Sequence, residues 1–125
     1  MRAAAQAIVA AVAEQGARPS RVVVAFQSQG MTGAGGRPIA WLGPDLPSAL
    51  DEVQRGGDRH VVVAPHGFLA DHVEILYDLD VEARGLAAAR GLSFARAASL
   101  NADDDFVEVL ARLVEELASG RGMPS

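Results

Sequence analysis

The sequence predicts an α/β domain of three layers, α/β/α, in which a short parallel sheet is flanked by helices. Three observations carry that expectation. Residues 21–26 (RVVVAF) and 60–64 (HVVVA) are continuous apolar runs, the pattern of strands buried on both faces, and 92–98 is a third candidate strand. Helical patterns separate these runs, so successive strands are joined by crossovers and run parallel. The length, 125 residues, suits one ordinary domain with a single core.

The elements follow in order. Residues 2–15 form the first helix, with Ile8 and Val12 on one face and Gly16 as its stop. After the strand at 21–26, residues 28–44 (SQGMTGAGGRPIAWLGP) hold five Gly and two Pro and form a long loop. Loops of that length inside a compact domain are usually functional. Residues 46–56 carry Leu46, Leu50 and Val53 at helical spacing and end at Gly56-Gly57. The strand at 60–64 leads through the turn Pro65-His66-Gly67 into an acidic helix from about 70 to 90. Beyond the strand at 92–98, Asn101 or Asp103 caps a last helix on which Phe106, Leu110, Leu113, Val114 and Leu117 repeat. One domain over residues 1–118 leaves 119–125, rich in Gly, Pro and Ser, as a flexible tail. Ligands of open parallel sheets bind outside the carboxyl ends of the strands. The Gly-rich loop after residue 26 and the turn at 65–69 both fall at that edge.

Composition excludes several function classes. The net charge is −5 and the basic residues are dispersed, which argues against a nucleic-acid partner. All 11 basic residues are Arg, a coding bias without functional content. There is no Cys, so disulfides, zinc-thiolate sites and an iron–sulfur cluster are excluded within this chain. The apolar stretch within the first 16 residues is mostly Ala and is broken by Gln6 and Glu14, too weak for a signal peptide. No run approaches the roughly 20 apolar residues of a spanning helix, so no membrane partner and a cytoplasmic location are expected.

The segment PHGFLADHVEILYDLDVE, residues 65–82, is the most informative for function. Glu74, Asp78 and Glu82 recur every fourth residue. On a regular helix each is turned about 40° from the last and set about 6 Å further along, so the three share roughly 80° of arc. Such a row of like charges costs about 0.2–0.5 kcal/mol per pair on an exposed helix. A divalent cation on the row, proton transfer along it, or both would account for it. So would an acidic face that is simply solvated, with Asp80 paired to Arg84 four residues on. His72 adds a base or soft ligand near the start of the row.

The segments FQSQGMTG, WLGPDLPSAL and APHGFLADHVEILYDLDVEA, in this order and spacing, closely resemble the C-terminal half of ferrochelatases, which insert ferrous iron into a porphyrin. SLNADDDFVEVLARLVEEL is similar to the end of that family's last helix. The resemblance covers nearly the whole chain and implies a chelatase-like fold and a lyase of haem biosynthesis. It implies that Glu74 is the catalytic acid on the metal side of the porphyrin, with His72 beside it. Asp78 and Glu82 match acidic positions leading away from the macrocycle, a path for metal or protons or a site for a second divalent cation, so Glu74, Asp78 and Glu82 are the expected metal-handling residues. Gln27, Ser28 and Trp41 fall in the segment that lines the porphyrin cleft, though Trp41 fits packing beneath the loop equally well. The family's acidic helix contains a π-helical stretch, a feature frequent at functional sites.

The expected partners are therefore a porphyrin, coproporphyrin or protoporphyrin, and ferrous iron as substrate; no tightly bound cofactor is implied. Proton removal from the ring needs a base poised near the working pH. Oxygen ligands hold ferrous iron less tightly than nitrogen ligands do, so a carboxylate path passes the metal on. The family's second catalytic residue, a His in a Ser-Ala-His-type segment, belongs to a stretch upstream of Met1. An N-terminal domain, or a second copy, is therefore expected to complete the cleft, and weak or no activity is expected of this chain alone. His66 stands where the family usually has a small aliphatic residue, and the extra residues around Thr32–Ile39 suggest a lid or a neutral insertion. Two other readings compete: a small homodimeric chelatase of the sirohydrochlorin type, and a non-catalytic porphyrin- or metal-binding module.

Overall fold

The computed structural model of the chain describes residues 2–27 and 43–120. Its elements are α1 (Arg2–Glu14), α2 (Leu46–Arg55), β1 (His60–Val63), α3 (Val73–Ile75), a π-helix π1 (Leu76–Ala83), α4 (Arg84–Ala89), β2 (Ser93–Arg96) and α5 (Asp104–Ala118). The α/β class expected from the sequence is present. β1 and β2 pair in parallel, with His60 opposite Ser93 and Val63 opposite Arg96. The ladder runs one residue further at each end, through Ser93 N to Arg59 O at 2.9 Å and Ala97 N to Val63 O at 2.8 Å.

α2 starts where Asp45 caps it, its carboxylate accepting from Ser48 N at 2.9 Å, with Pro47 in the first turn where no amide is needed. It buries Ala49 and Leu50 and stops at Gly56, followed by Gly57 at φ +82°. Leu50, Ala87 and Leu92 form one core cluster, against which Val53, Val61, Leu86 and Phe94 pack. Ile75, Leu79 and Ala83 form a second, joined to the first through Phe94 and closed by Leu46 and Val63. The consecutive helices α3, π1 and α4 thus lie with α2 over the Val61, Val63 and Phe94 face of the sheet.

One expected strand does not form. Among the described residues, 21–26 contributes only an isolated parallel bridge between Phe26 and Asp45, with Phe26 N donating to Pro44 O at 2.9 Å. The run is anchored at its start by Arg21, which pairs with Asp58 at 3.2 Å and Glu52 at 3.5 Å. Between those anchors Val22 to Val24 stand across an apolar cleft of about 650 Å³ from β1, with α1 forming another wall through Ile8 and Val12. Val62 on β1 is consequently 70% exposed, where the sequence predicted burial on both faces. The apolar run met the local criterion for a buried strand, but in this structure it makes no ladder with β1.

The last helix is capped by Asp103, whose side chain accepts from Asp105 N at 3.1 Å. It buries no residue, and Val114 and Leu117 are exposed on its apolar stripe. Gly120, at φ +69°, follows its end, and residues 121–125 of the expected tail lie outside the described residues. Among the described residues no helix is long and apolar enough to cross a membrane.

Candidate functional site

The acidic helix expected over about 70–90 spans Val73 to Ala89 and changes winding along the way. Its middle eight residues, LYDLDVEA, form the π-helix, and Arg84 N reaches back five residues to Leu79 O. The burial pattern has the same cause. Ile75, Leu79, Ala83 and Ala87 are all buried, at 1%, 2%, 0% and 0% exposure. Over three four-residue steps a regular α-helix would turn such a row by about 120°. Here one seam takes all four, because the widened turns keep residues four apart in line. Glu74, Asp78 and Glu82 each precede one of these buried residues and so form a parallel row beside the seam.

Asp78 and Glu82 share a small cleft of about 220 Å³ with Gln27 and Asp45; Leu46, Pro47, Ala83 and Leu86 complete its walls. Gln27 Nε2 donates to Asp78 Oδ2 in a half-buried hydrogen bond. Gln27 and Leu46 also line the large apolar cleft, so they stand where the acidic and the apolar clefts meet. Glu74 lies on the exposed side of α3, one turn before Asp78, and lines neither cleft. His72 precedes α3 in an extended conformation (φ −144°, ψ 167°). Its ring meets Phe68 edge-on with centroids 4.6 Å apart, and Nε2 is buried without a hydrogen-bond partner among the described residues. An unsatisfied buried nitrogen is uncommon in folded proteins. His66 lines the apolar cleft. Ser28, Trp41 and the Thr32–Ile39 stretch lie outside the described residues.

The other carboxylates of this segment are tied down. Asp80 accepts a two-pronged contact from Arg96, Nε to Oδ1 at 2.8 Å and a terminal nitrogen to Oδ2 at 3.1 Å. It also pairs with Arg84 at 3.9 Å, the partner that the four-residue spacing suggested, and Arg84 stacks over the Phe94 ring at 5.2 Å. Asp71 accepts from Ser99 Oγ at 2.7 Å, from Asn101 Nδ2 at 3.1 Å and from Arg96 at 3.2 Å. The Ser99 hydroxyl, then Asn101, then Arg96 hold the Asp71 carboxyl below its ordinary range against the cost of burial. The Asp80 hydrogen bond raises the Arg96 guanidinium above its ordinary range against burial. No such cation meets Glu74, Asp78 or Glu82 among the described residues.

Oxygen donors without a counter-charge suit a hard or borderline divalent cation. The described residues nevertheless contain no group of three or more His, Asp or Glu drawn close enough to enclose a metal ion. The small cleft is open and acidic, with room for water. Sequence reasoning missed Asp45 and Arg96 here. Asp45 showed only the signature of a helix cap, and Arg96 meets Asp80 sixteen residues away through a register that no local pattern encodes.

The family model for ferrochelatase matches residues 1–118. The coproporphyrin III ferrochelatase of Mycobacterium marinum is 42% identical over 97 residues, covering 78% of this chain and 27% of the relative. The ferrochelatase of Thermus thermophilus is 47% identical over 95 residues, covering 76% of this chain and 28% of the relative. That of Acidobacterium capsulatum is 45% identical over 91 residues, covering 73% and 26%. The chain therefore spans about a quarter of the length of these relatives.

Proposed function

The chain belongs to the ferrochelatase family, and from that premise we propose that it forms the acidic, cation-handling wall of a ferrochelatase, a cytoplasmic lyase that inserts ferrous iron into a porphyrin. Insertion exchanges two pyrrolic protons for one divalent metal, so the wall must deliver a cation and accept protons. In this reading Glu74 and His72 face the macrocycle. The carboxylate of Glu74 accepts pyrrolic protons, and the buried Nε2 of His72 engages the metal or the ring. Asp78 and Glu82 extend the row and carry cations or protons between solvent and the ring. Gln27, where the two clefts meet, orients Asp78 and contacts the porphyrin, together with Ser28 and Trp41. In this reading the opposite wall of the cleft and its catalytic His come from a further domain or a second copy, so this chain alone inserts iron weakly or not at all.

One observation carries the reading: among the described residues the three aligned carboxylates meet no cationic side chain, while Asp80 on the same helix is paired. Like-charge repulsion along such a row costs stability, and a mobile cation or proton would relieve it. Absorbance titration of this chain with coproporphyrin and with protoporphyrin, with and without ferrous iron under anaerobic conditions, tests it. Porphyrin binding with slow or absent insertion is the expected result. Insertion at the rate of a complete enzyme would overturn the division of labour between the walls, and no interaction with porphyrin or iron would overturn the assignment of the wall itself.

A further inference from the structure

Two anchors bracket the reactive segment, and one side chain holds both. Arg96, at the end of β2, reaches Asp80 in the middle of π1 with two nitrogens and Asp71, directly before His72, with the third. Asp71 is fixed in turn by Ser99 and Asn101. Asn101 Oδ1 accepts Asp71 N at 2.8 Å, and Asn101 N donates to Leu69 O at 2.9 Å, with Asn101 itself at φ +51°. Residues 72–79, which carry His72, Glu74 and Asp78, are thus suspended between two points of one guanidinium. π-Helical turns are rare and seldom extend beyond a single turn, so eight residues of them call for something that opposes relaxation to ordinary winding. Slipping the register by one residue would swing each later side chain by about 100°. Asp78 and Glu82 would then leave the cleft they share with Gln27.

We propose that Arg96 is a positioning residue that sets the rotational register of π1, and through it aims Asp78 and Glu82 into the acidic cleft. The proposal rests on the cation-handling reading for its functional consequence but not for its structural content. A planar fork is needed for that role. A Lys at 96 supplies the charge as a single point and cannot grip both Asp80 oxygens while reaching Asp71.

The test uses the full chain, with Arg96→Met, Arg96→Lys and Asp80→Asn. Amide hydrogen exchange over residues 71–83 reads the register, and Mn2+ titration followed by water-proton relaxation reads the row. Arg96→Met is expected to lose exchange protection across 76–83 while α2, β1 and α4 keep theirs, and to weaken Mn2+ binding about tenfold. Arg96→Lys is expected to recover most of the thermal stability but not the Mn2+ affinity, a split that a merely structural role would not produce. Should Arg96→Met fail to fold, Asp80→Asn, which keeps the Arg96 contact to Asp71, asks the same question. Unchanged protection over 76–83 in a folded variant overturns the proposal. If the unsubstituted chain does not bind Mn2+, the cation reading fails, and exchange alone decides the register claim.

Discussion

Asp78 and Asp80 sit two residues apart on one helix and have opposite surroundings. Asp80 is gripped by Arg96 and approached by Arg84; among the described residues Asp78 meets only the neutral amide of Gln27, and it looks into an acidic cleft shared with Glu82 and Asp45. Composition does not separate them, since both are aspartates in the string YDLD. What separates them is whether the fold supplies a fixed cation. Charges that hold the architecture arrive with their partners, whereas on the function proposed above Asp78 is left for a diffusing ion to meet.

The largest effect should come from the unpaired side. Glu74→Gln, placed in a complete ferrochelatase carrying this segment, is expected to slow iron insertion by about 100-fold or more, the scale of a lost general base, with no fall in melting temperature. A loss of stability instead would show Glu74 to be a structural residue. On the paired side, Asp80→Asn should lower the melting temperature by about 5 °C, because it takes the two-pronged carboxylate partner from Arg96 and leaves it only Asp71. A variant that melts like its parent would remove the distinction between the two aspartates.

Acid sharpens the same contrast. The folded-state pKa of Asp71 lies below its ordinary value of 3.8, so its contribution to stability is complete above that value and is lost as the pH falls below it. Urea unfolding at a series of acidic pH values should show this loss in the parent chain and a flatter profile in Asp71→Asn. The smallest effect is a gain. Asp78→Asn relieves repulsion along the row and should raise stability by about 0.2–0.5 kcal/mol, while weakening cation binding. A marked destabilisation would mean that the Gln27 contact matters more to the fold than the charge does.

Much of this was legible in the sequence. The four-residue spacing of Glu74, Asp78 and Glu82, the Asp80–Arg84 pair, the Gly56 stop and the Asp103 cap are all local features, and local patterns report them faithfully. The π winding followed only from the family resemblance, although its mark was present in the four-residue spacing of Ile75, Leu79, Ala83 and Ala87. The run at 21–26 was misread because apolarity records a preference for burial and does not name the surface that provides it. Arg96 was invisible for a related reason. Its partners are sixteen and twenty-five residues away, and only the parallel register of β1 and β2 brings them within reach.

The shared period of the two rows constrains how this segment can change length over time. An insertion or deletion of four residues would leave the acids and the aliphatics on their own sides. A change of one or three residues would interleave them, carrying a carboxylate into the seam now filled by Leu79 and Ala83, and a change of two would bring Tyr77 or Val81 there. Natural homologues should therefore vary in length outside the stretch 74–87, and hardly at all within it.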